Sequence, residues 1–344
     1  MKKPTIKDIA SMCGVSVSTV SRAINNGDEI SSETRHKILD VIKETGYSPN
    51  QNARNLKISK NKTIAVLIKG ITNPFFTPML KVLEEEITKL GYSFSLHKVE
   101  ENLSEVDLAT RLVKNLKPEG VIFLGGYFAN DSKELEGLNI PFSMTTIINK
   151  DLDIERSTCV GIDDFHEAKK IVDYLISLGH RQIAMIGPRY NDLSIGKLRI
   201  DGYRAALEDA GIKFDERMII HPPAGLNPYS LHHGYESMKK IINDNIECTA
   251  IFSISDLVAM GAIKALDDMN MSVPEDYSVV GFDGLELNEF LVKPITTIVQ
   301  PTVKIAYKSV KELFNIIKNK EYEKVTRYDG ELFIGKTTSP YTRS

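Results

Sequence analysis

The sequence predicts an α/β protein in which a small helical head precedes two doubly wound parallel lobes, and three observations predict it. From Thr63 onward, short apolar runs alternate with amphipathic stretches, the pattern of strands covered by helices on both faces. Before that point only helical periodicity is present, in pieces too short to build a lobe. The charge divides at the same place. Residues 1–62 hold eleven Lys and Arg against six Asp and Glu, a balance of +5 within a formal net charge of −3, so the rest carries −8. A basic head on an acidic body predicts a surface that faces a polyanion, a chance excess of solvated lysines being the plainer alternative.

The remaining composition narrows the class. At 344 residues and 42% apolar content the chain can bury two or three cores. No apolar run reaches the roughly 18 residues of a membrane span, and the start MKKPTIKD lacks the apolar centre of a signal peptide, so a soluble cytoplasmic protein is expected. Cys13, Cys159 and Cys248 show neither CxxC nor Cys/His ligand spacing, and all three are read as small buried hydrophobes.

In the head, Thr5 and Asp8 make a capping-box-like start for IKDIASM, Gly14 breaks the chain, and Ser16 caps a second helix through VSTVSRAIN. Ile6, Ile9, Ala10, Val15, Val20 and Ile24 then fall where two helices joined by a tight turn face each other. A third helix is expected from about Ser32 to Thr45, with Ile38, Val41 and Ile42 as its apolar stripe and Gly46 as its stop. A fourth helical piece, PNQNARNLKI over residues 49–58, begins well at Pro49, but its apolar surface is little more than Ala53, Leu56 and Ile58. A helix that short and polar does not hold alone in water. In the body, strands are expected at IAVLI (64–68), GVIFLGG (120–126), CVGI (159–162), IAMIG (183–187), AIFSIS (250–255) and SVVGF (278–282). About 280 residues of this pattern exceed one sheet and predict two lobes with a cleft between them, lined by loops at the carboxyl ends of the strands.

TIKDIASMCGVSVSTVSRAINN, residues 5–26, has the form of a helix-turn-helix whose second helix suits the major groove. Its exposed side would present Arg22 for bidentate contact with guanine, Ser18 as donor or acceptor, and Val17 for a thymine methyl. Ser16, Thr19, Ser21, Asn25, Ser31, Thr34, Arg35 and Tyr47 offer partners for phosphates, which position without reading sequence, and Thr5 completes the DNA-facing set. The same layout also suits a purely structural three-helix unit.

The order of the pieces resembles the LacI/GalR family of bacterial transcription regulators along essentially the whole chain. The segments that carry the resemblance are TIKDIA, GVSVSTVSRAINN, SSETRHKIL, GYSPNQNARNL, NPFF, GHRQIAMIG, RIDGYRAAL, SDLVAMGAIKAL, VVGFD and ITTIVQP. The resemblance implies a homodimer or homotetramer on double-stranded palindromic operator DNA, with a small effector altering that binding. It also implies what folds the polar segment: a hinge helix that orders when two subunits sit on an operator. There Leu56 would enter the minor groove as an apolar wedge, while Asn50 and Ala53 lie along the groove and pack the paired hinges. The implied domains are 1–48 for the helix-turn-helix, 49–61 for hinge helix and linker, and 62–344 for effector binding and dimerisation. The last would have the type I periplasmic-binding-protein-like architecture, with an amino lobe of 62–161 plus 294–326 and a carboxyl lobe of 162–293 plus 327–344. Localisation would be cytoplasmic and nucleoid-associated.

Sugar recognition needs carboxylates, amides and arginine for hydroxyls, with aromatic faces against the ring. At matching places the chain supplies Arg199, Asp256, Asp283 and Gln300, with Phe75 and Phe76 as an aromatic wall and Asn73 beside them. Asp256 is equally well read as a helix N-cap, and the alternatives for Asp283 and the phenylalanines are a loop hydrogen-bonder and core. Two departures stand out. Thr146 occupies the place where many members have an acid or amide, and Gly335 and Lys336 stand where an arginine and an acid are frequent. His180 is expected to cap or pack, and His232 and His233 to lie in a polar loop without a third metal ligand. No GxSxG, HExxH or P-loop is present, and no cofactor, metal or catalytic residue is expected. The reading is a ligand-responsive repressor of a carbohydrate-utilisation operon. Its rivals are a global regulator of the same family that uses a phosphorylated protein partner, a sugar-binding transport protein, and a sugar-acting enzyme.

Overall fold

The computed structural model describes residues 5–24, 30–45, 47, 62–100, 103–126, 132–148 and 153–342. The hinge segment expected at 49–58 lies outside the described residues. The chain divides into two compact units, Met1–Asn61 and Lys62–Ser344.

In the first unit, helix α1 (Ile6–Cys13) starts where Thr5 donates to Asp8 Oδ2 from both its backbone N (2.8 Å) and its hydroxyl (2.7 Å). Gly14, at φ 70°, takes the left-handed turn that ends the helix without a Cβ penalty. Helix α2 (Val17–Ile24) follows at once, its first turn held by Ser16 Oγ accepting from Thr19 N at 3.1 Å. Helix α3 (Ser32–Thr45) is started by Ser31 Oγ, which accepts from Thr34 N at 3.3 Å. Ile9, Ala10, Cys13, Val20, Ala23 and Ile38 bury into one core, with Ile6, Val15, Ile24, Val41 and Ile42 packed on it. In so small a core each cap matters. Asp8→Ala is expected to remove about 1 kcal/mol from the head, read as faster amide exchange in α1 on the full-length protein; unchanged exchange would show that the cap is dispensable.

The second unit opens with β1 (Thr63–Lys69), six of whose seven residues are buried, as befits an inner parallel strand. A 3-10 turn (Pro74–Phe76) leads into α4 (Thr77–Lys89), then β2 (Ser93–Val99), α5 (Glu105–Asn115), β3 (Gly120–Leu124), α6 (Ser132–Glu136), β4 (Phe142–Thr145) and β5 (Ser157–Ile162). The chain then crosses into α7 (Asp164–Ser177), β6 (Ile183–Ile186), α8 (Ile195–Asp209), β7 (Ile219–Ile220), α9 (Leu231–Asn243), β8 (Ala250–Ser253), α10 (Asp256–Asp268) and β9 (Ser278–Val280). It returns through β10 (Thr297–Val299), α11 (Thr302–Ile317), β11 (Val325–Tyr328) and β12 (Glu331–Phe333). Two parallel sheets result, ordered β11-β5-β4-β3-β1-β2 and β7-β6-β8-β9, with an antiparallel β10–β12 pair. Helices α9 and α10 cross at two glycines. A Cβ on Gly234 would lie 1.9 Å from the Val258 carbonyl oxygen, and one on Gly261 as close to that of Leu231.

Several expectations are corrected here. All six anticipated strands are present, but β2, β4, β7 and the last three were not anticipated, because β2 is largely solvated and the others are only two to four residues long. Residues 296–299 bridge Val280 and Asp283 beside the carboxyl-lobe sheet, and β11 pairs along its whole length with β5 of the amino lobe. Cys13 and Cys159 are buried whereas Cys248 is only half-buried, with burial lifting its thiol to about 12. His232 and His233 belong to α9, not to a loop. His233 is fully buried, its ring nitrogens 2.9 Å from the Gly187 carbonyl oxygen and 3.0 Å from Ser237 Oγ, and burial lowers its pKa to about 4. His180 packs as expected, within 2.9 Å of Thr249 Oγ1 and 3.0 Å of Ser278 Oγ. Gly335 is explained by contact: a Cβ there would lie 2.1 Å from the Pro294 carbonyl oxygen, which also accepts from Lys336 N at 2.6 Å.

Candidate functional site

On the head, Ser18 and Arg22 of α2 are exposed, with Thr19 and Ser21 half-buried beside them. Ser16 Oγ lies 2.6 Å from Ser18 Oγ and 2.8 Å from Thr19 Oγ1, so the start of the helix is a hydroxyl cluster. Ser31 repeats the device with Thr34 Oγ1 at 2.8 Å, and Arg35 follows half-buried on the next position of α3. Val17 and Tyr47 are half-buried and pack on the core, which leaves each less surface for DNA than expected. Thr5 is exposed and engaged with Asp8. Asn25, Asn50, Ala53 and Leu56 lie outside the described residues.

Between the lobes is a cavity of about 870 Å³, counting its open mouth, and it lies where parallel strands end. Lys69 closes β1, Thr146 follows β4, Asp283 follows β9 and Gln300 follows β10. Seven of the eight expected effector residues line it: Asn73, Phe75, Phe76, Thr146, Arg199, Asp283 and Gln300. The phenylalanines both line the cavity and belong to a hydrophobic core cluster, their rings edge to face at 5.1 Å. Asn73 caps the 3-10 turn that carries them, Oδ1 accepting from Phe75 N at 3.0 Å.

Arg199, 2% exposed, organises the floor. Its Nε donates to Asp164 Oδ1 at 2.9 Å, Nη1 donates to the Ile254 carbonyl at 2.6 Å, and Nη2 lies 2.8 Å from Asp164 Oδ1 and 3.5 Å from Asp283 Oδ1. The guanidinium carbon sits 3.7 Å from the centre of the Phe282 ring, a cation–π contact. Gln300 Nε2 donates to Asp283 Oδ1 at 2.9 Å. Burial pushes the Asp283 carboxyl up to about 8 and that of Asp164 to about 6, with Arg199 holding both back. Asp283 and Thr146 hold positive φ angles, 112° and 78°, which side chains rarely adopt; such strain clusters at functional sites.

Asp256 is the exception. It does not line the cavity, and Ser255, not Asp256, caps α10. Fully buried, Asp256 accepts from Thr297 Oγ1 at 2.6 Å and Leu285 N at 2.8 Å, so its carboxylate ties the loop after β9 to β10. Residues not anticipated from sequence also line the cavity, among them Lys69, Arg189, Asp192, Asn227 and Tyr229. Their signal was positional, since each sits at or after the carboxyl end of β1, β6 or β7. Tyr229 matters most: its Oη is buried with no hydrogen-bond partner among the described residues, and burial holds its pKa well above the usual tyrosine range.

A helix-turn-helix unit joined to a two-lobed unit with a polar, aromatic-walled cleft defines the class of ligand-binding transcriptional regulators. Residues 5–50 match the family described as bacterial regulatory proteins, lacI family, and residues 172–338 match the periplasmic binding protein-like domain. The HTH-type transcriptional regulator MalR of Clostridium butyricum is 39% identical over 331 residues, covering 95% of this chain and 97% of the relative. Among solved structures, a LacI family transcriptional regulator of Enterococcus faecium with bound ribose is 26% identical, with a TM-score of 0.69 over 82% of this chain and all of that one. The transcriptional regulator CelR in complex with cellobiose is 25% identical, with a TM-score of 0.69 over 97% of this chain and 99% of that one. The chain belongs to the LacI family and is a DNA-binding transcriptional regulator, not an enzyme. Among the described residues, no helix is long and apolar enough to cross a membrane, and no group of His, Cys, Asp and Glu is placed to hold a metal ion.

Proposed function

We propose that this regulator is a repressor of a carbohydrate-utilisation operon whose cleft binds a sugar or sugar derivative. The observation that carries this reading is the floor of the cleft. Asp283 is bonded to both Arg199 and Gln300 in the cavity that Phe75 and Phe76 also line, and the buried Tyr229 hydroxyl is unmatched among the described residues. Hydroxyl-bearing rings satisfy such groups, whereas an apolar ligand leaves them desolvated and unpaired. The ribose and cellobiose bound by structurally similar regulators support the same class.

Sugar binding favours lobe closure. In a homodimer on a palindromic operator, closure biases whether the segments 49–61 of the two subunits meet as paired hinge helices, with Asn50, Ala53 and Leu56 at the minor groove. The test is a thermal-shift panel of sugars on the full-length protein. A sugar at about 100 times its dissociation constant stabilises the bound state by about 2.7 kcal/mol. The expected result is a melting shift with one sugar class, and operator affinity that changes when the same sugar is added. A panel without any shift would overturn the carbohydrate reading.

A further inference from the structure

We propose that the Lys69–Glu105 pair makes the cleft selective for an uncharged effector and against its phosphorylated form. The proposal rests on the cleft being the sugar site, and it assigns that site a charge preference.

Lys69 ends β1 at the wall of the cavity, with a side chain only 10% exposed. Its Nζ lies 3.1 Å from Glu105 Oε2 and donates to the Leu103 carbonyl at 3.0 Å; the Glu105 side chain, at the first position of α5, is 3% exposed. The pair is thus a buried cation neutralised by the chain's own carboxylate. Among the described residues, every other cation lining the cavity is also engaged by the protein. Arg199 is held by Asp164, Asp283 and the Ile254 carbonyl, and Arg189 Nη2 donates to the Leu226 carbonyl at 3.2 Å. A lining carboxyl adds to the balance, Asp192, which accepts from Ser194 N at 2.6 Å. A phosphate entering this cavity gives up its hydration to a wall whose three described cations, Lys69, Arg189 and Arg199, are matched in number by the carboxyl groups of Glu105, Asp164 and Asp192. A neutral polyol meets the same carboxyls and N–H donors as ordinary hydrogen-bond partners. Glu105 is therefore a specificity-determining residue acting through Lys69: with its charge removed, Lys69 becomes an anion site inside a low-dielectric wall.

The test uses full-length protein and matched pairs by calorimetry: glucose and glucose 6-phosphate, ribose and ribose 5-phosphate, cellobiose and cellobiose 6-phosphate. Inorganic phosphate is the control for anions captured by the basic head. In the wild type, a parent sugar is expected to bind at least about tenfold more tightly than its phosphate. Glu105→Gln, of the same shape, should narrow that gap about tenfold, and Lys69→Met, which leaves Glu105 uncompensated, should widen it. A phosphate that binds the wild type as tightly as its parent overturns the proposal while leaving the carbohydrate reading standing. So does a gap identical in wild type, Glu105→Gln and Lys69→Met. Silence from every sugar and every phosphate removes the carbohydrate reading and this proposal with it. Should Glu105→Gln fail to fold, the wild-type pairs and Lys69→Met still decide.

Discussion

Arg199→Met should cost the two-lobed unit about 3–5 kcal/mol, the usual penalty for breaking a buried ion pair by removing one partner. Methionine keeps much of the stem that packs on Phe282 but none of the N–H groups that reach Asp164, Asp283 and the Ile254 carbonyl. Two carboxyls are then left in a site with almost no access to water. The loss should depend on pH. Burial already raises Asp283 to about 8 and Asp164 to about 6 from an ordinary 3.8, and Arg199 opposes the rise, so its removal drives both higher. A carboxyl whose folded pKa lies above its unfolded value keeps a proton in the fold that the open chain has released. Stability therefore falls as pH rises from about 4 toward the folded value. The variant is expected to lie closer to the wild type at pH 5 than at pH 8 in urea unfolding, and its melting point should no longer respond to the effector sugar. Equal losses at the two pH values would remove uncompensated charge as the cause.

Arg22→Ala should act on the other unit and leave stability nearly unchanged, because Arg22 is exposed and lies outside the head's core. A bidentate arginine–guanine pair is worth about 1–3 kcal/mol of discrimination, roughly tenfold to a hundredfold in the preference for operator over random DNA. Weak binding to any duplex should persist, since phosphate contacts from the rest of the basic head supply it and make it steeply salt-dependent. A competition titration at fixed salt reads the ratio directly. An unchanged ratio would show that Arg22 does not read a base.

The features legible in the sequence are those with a local physical cause. Thr5–Asp8 and Ser16 announced helix starts, because capping is chemistry within four residues. The buried central strands announced themselves because a strand covered on both faces carries an unbroken apolar run, Ile64–Ile68 in β1, Val121–Leu124 in β3 and Cys159–Ile162 in β5. What eluded local reasoning was either short or non-local. Strand β10 has three residues; Thr296 just before it bridges Val280 of β9, its Val299 bridges Asp283, and it pairs with β12 from the far end of the chain. The places of His232 and His233 in α9 were misread because Pro- and Gly-rich PPAGLNPYS runs straight into that helix.

By itself the sequence determined the basic head, the order of its helices, the alternating lobes, and the residue types gathered for a polar cleft. It did so because periodicity, capping and charge are carried by neighbours along the chain. Tertiary structure alone decided which of those residues share the cleft. Asp256 and Asp283 are both aspartates beside strand ends, yet the fold turns Asp283 toward Arg199 and Gln300 in the cavity wall and spends Asp256 on Thr297 and the backbone of Leu285. Lys69 and Tyr229 carried no motif, and only the crossing of distant strands and loops sets them around one cavity, with Glu105 paired to Lys69. Burial and the partners available to a group, which fix its charge and its free hydrogen-bonding capacity, exist only once the chain has closed on itself.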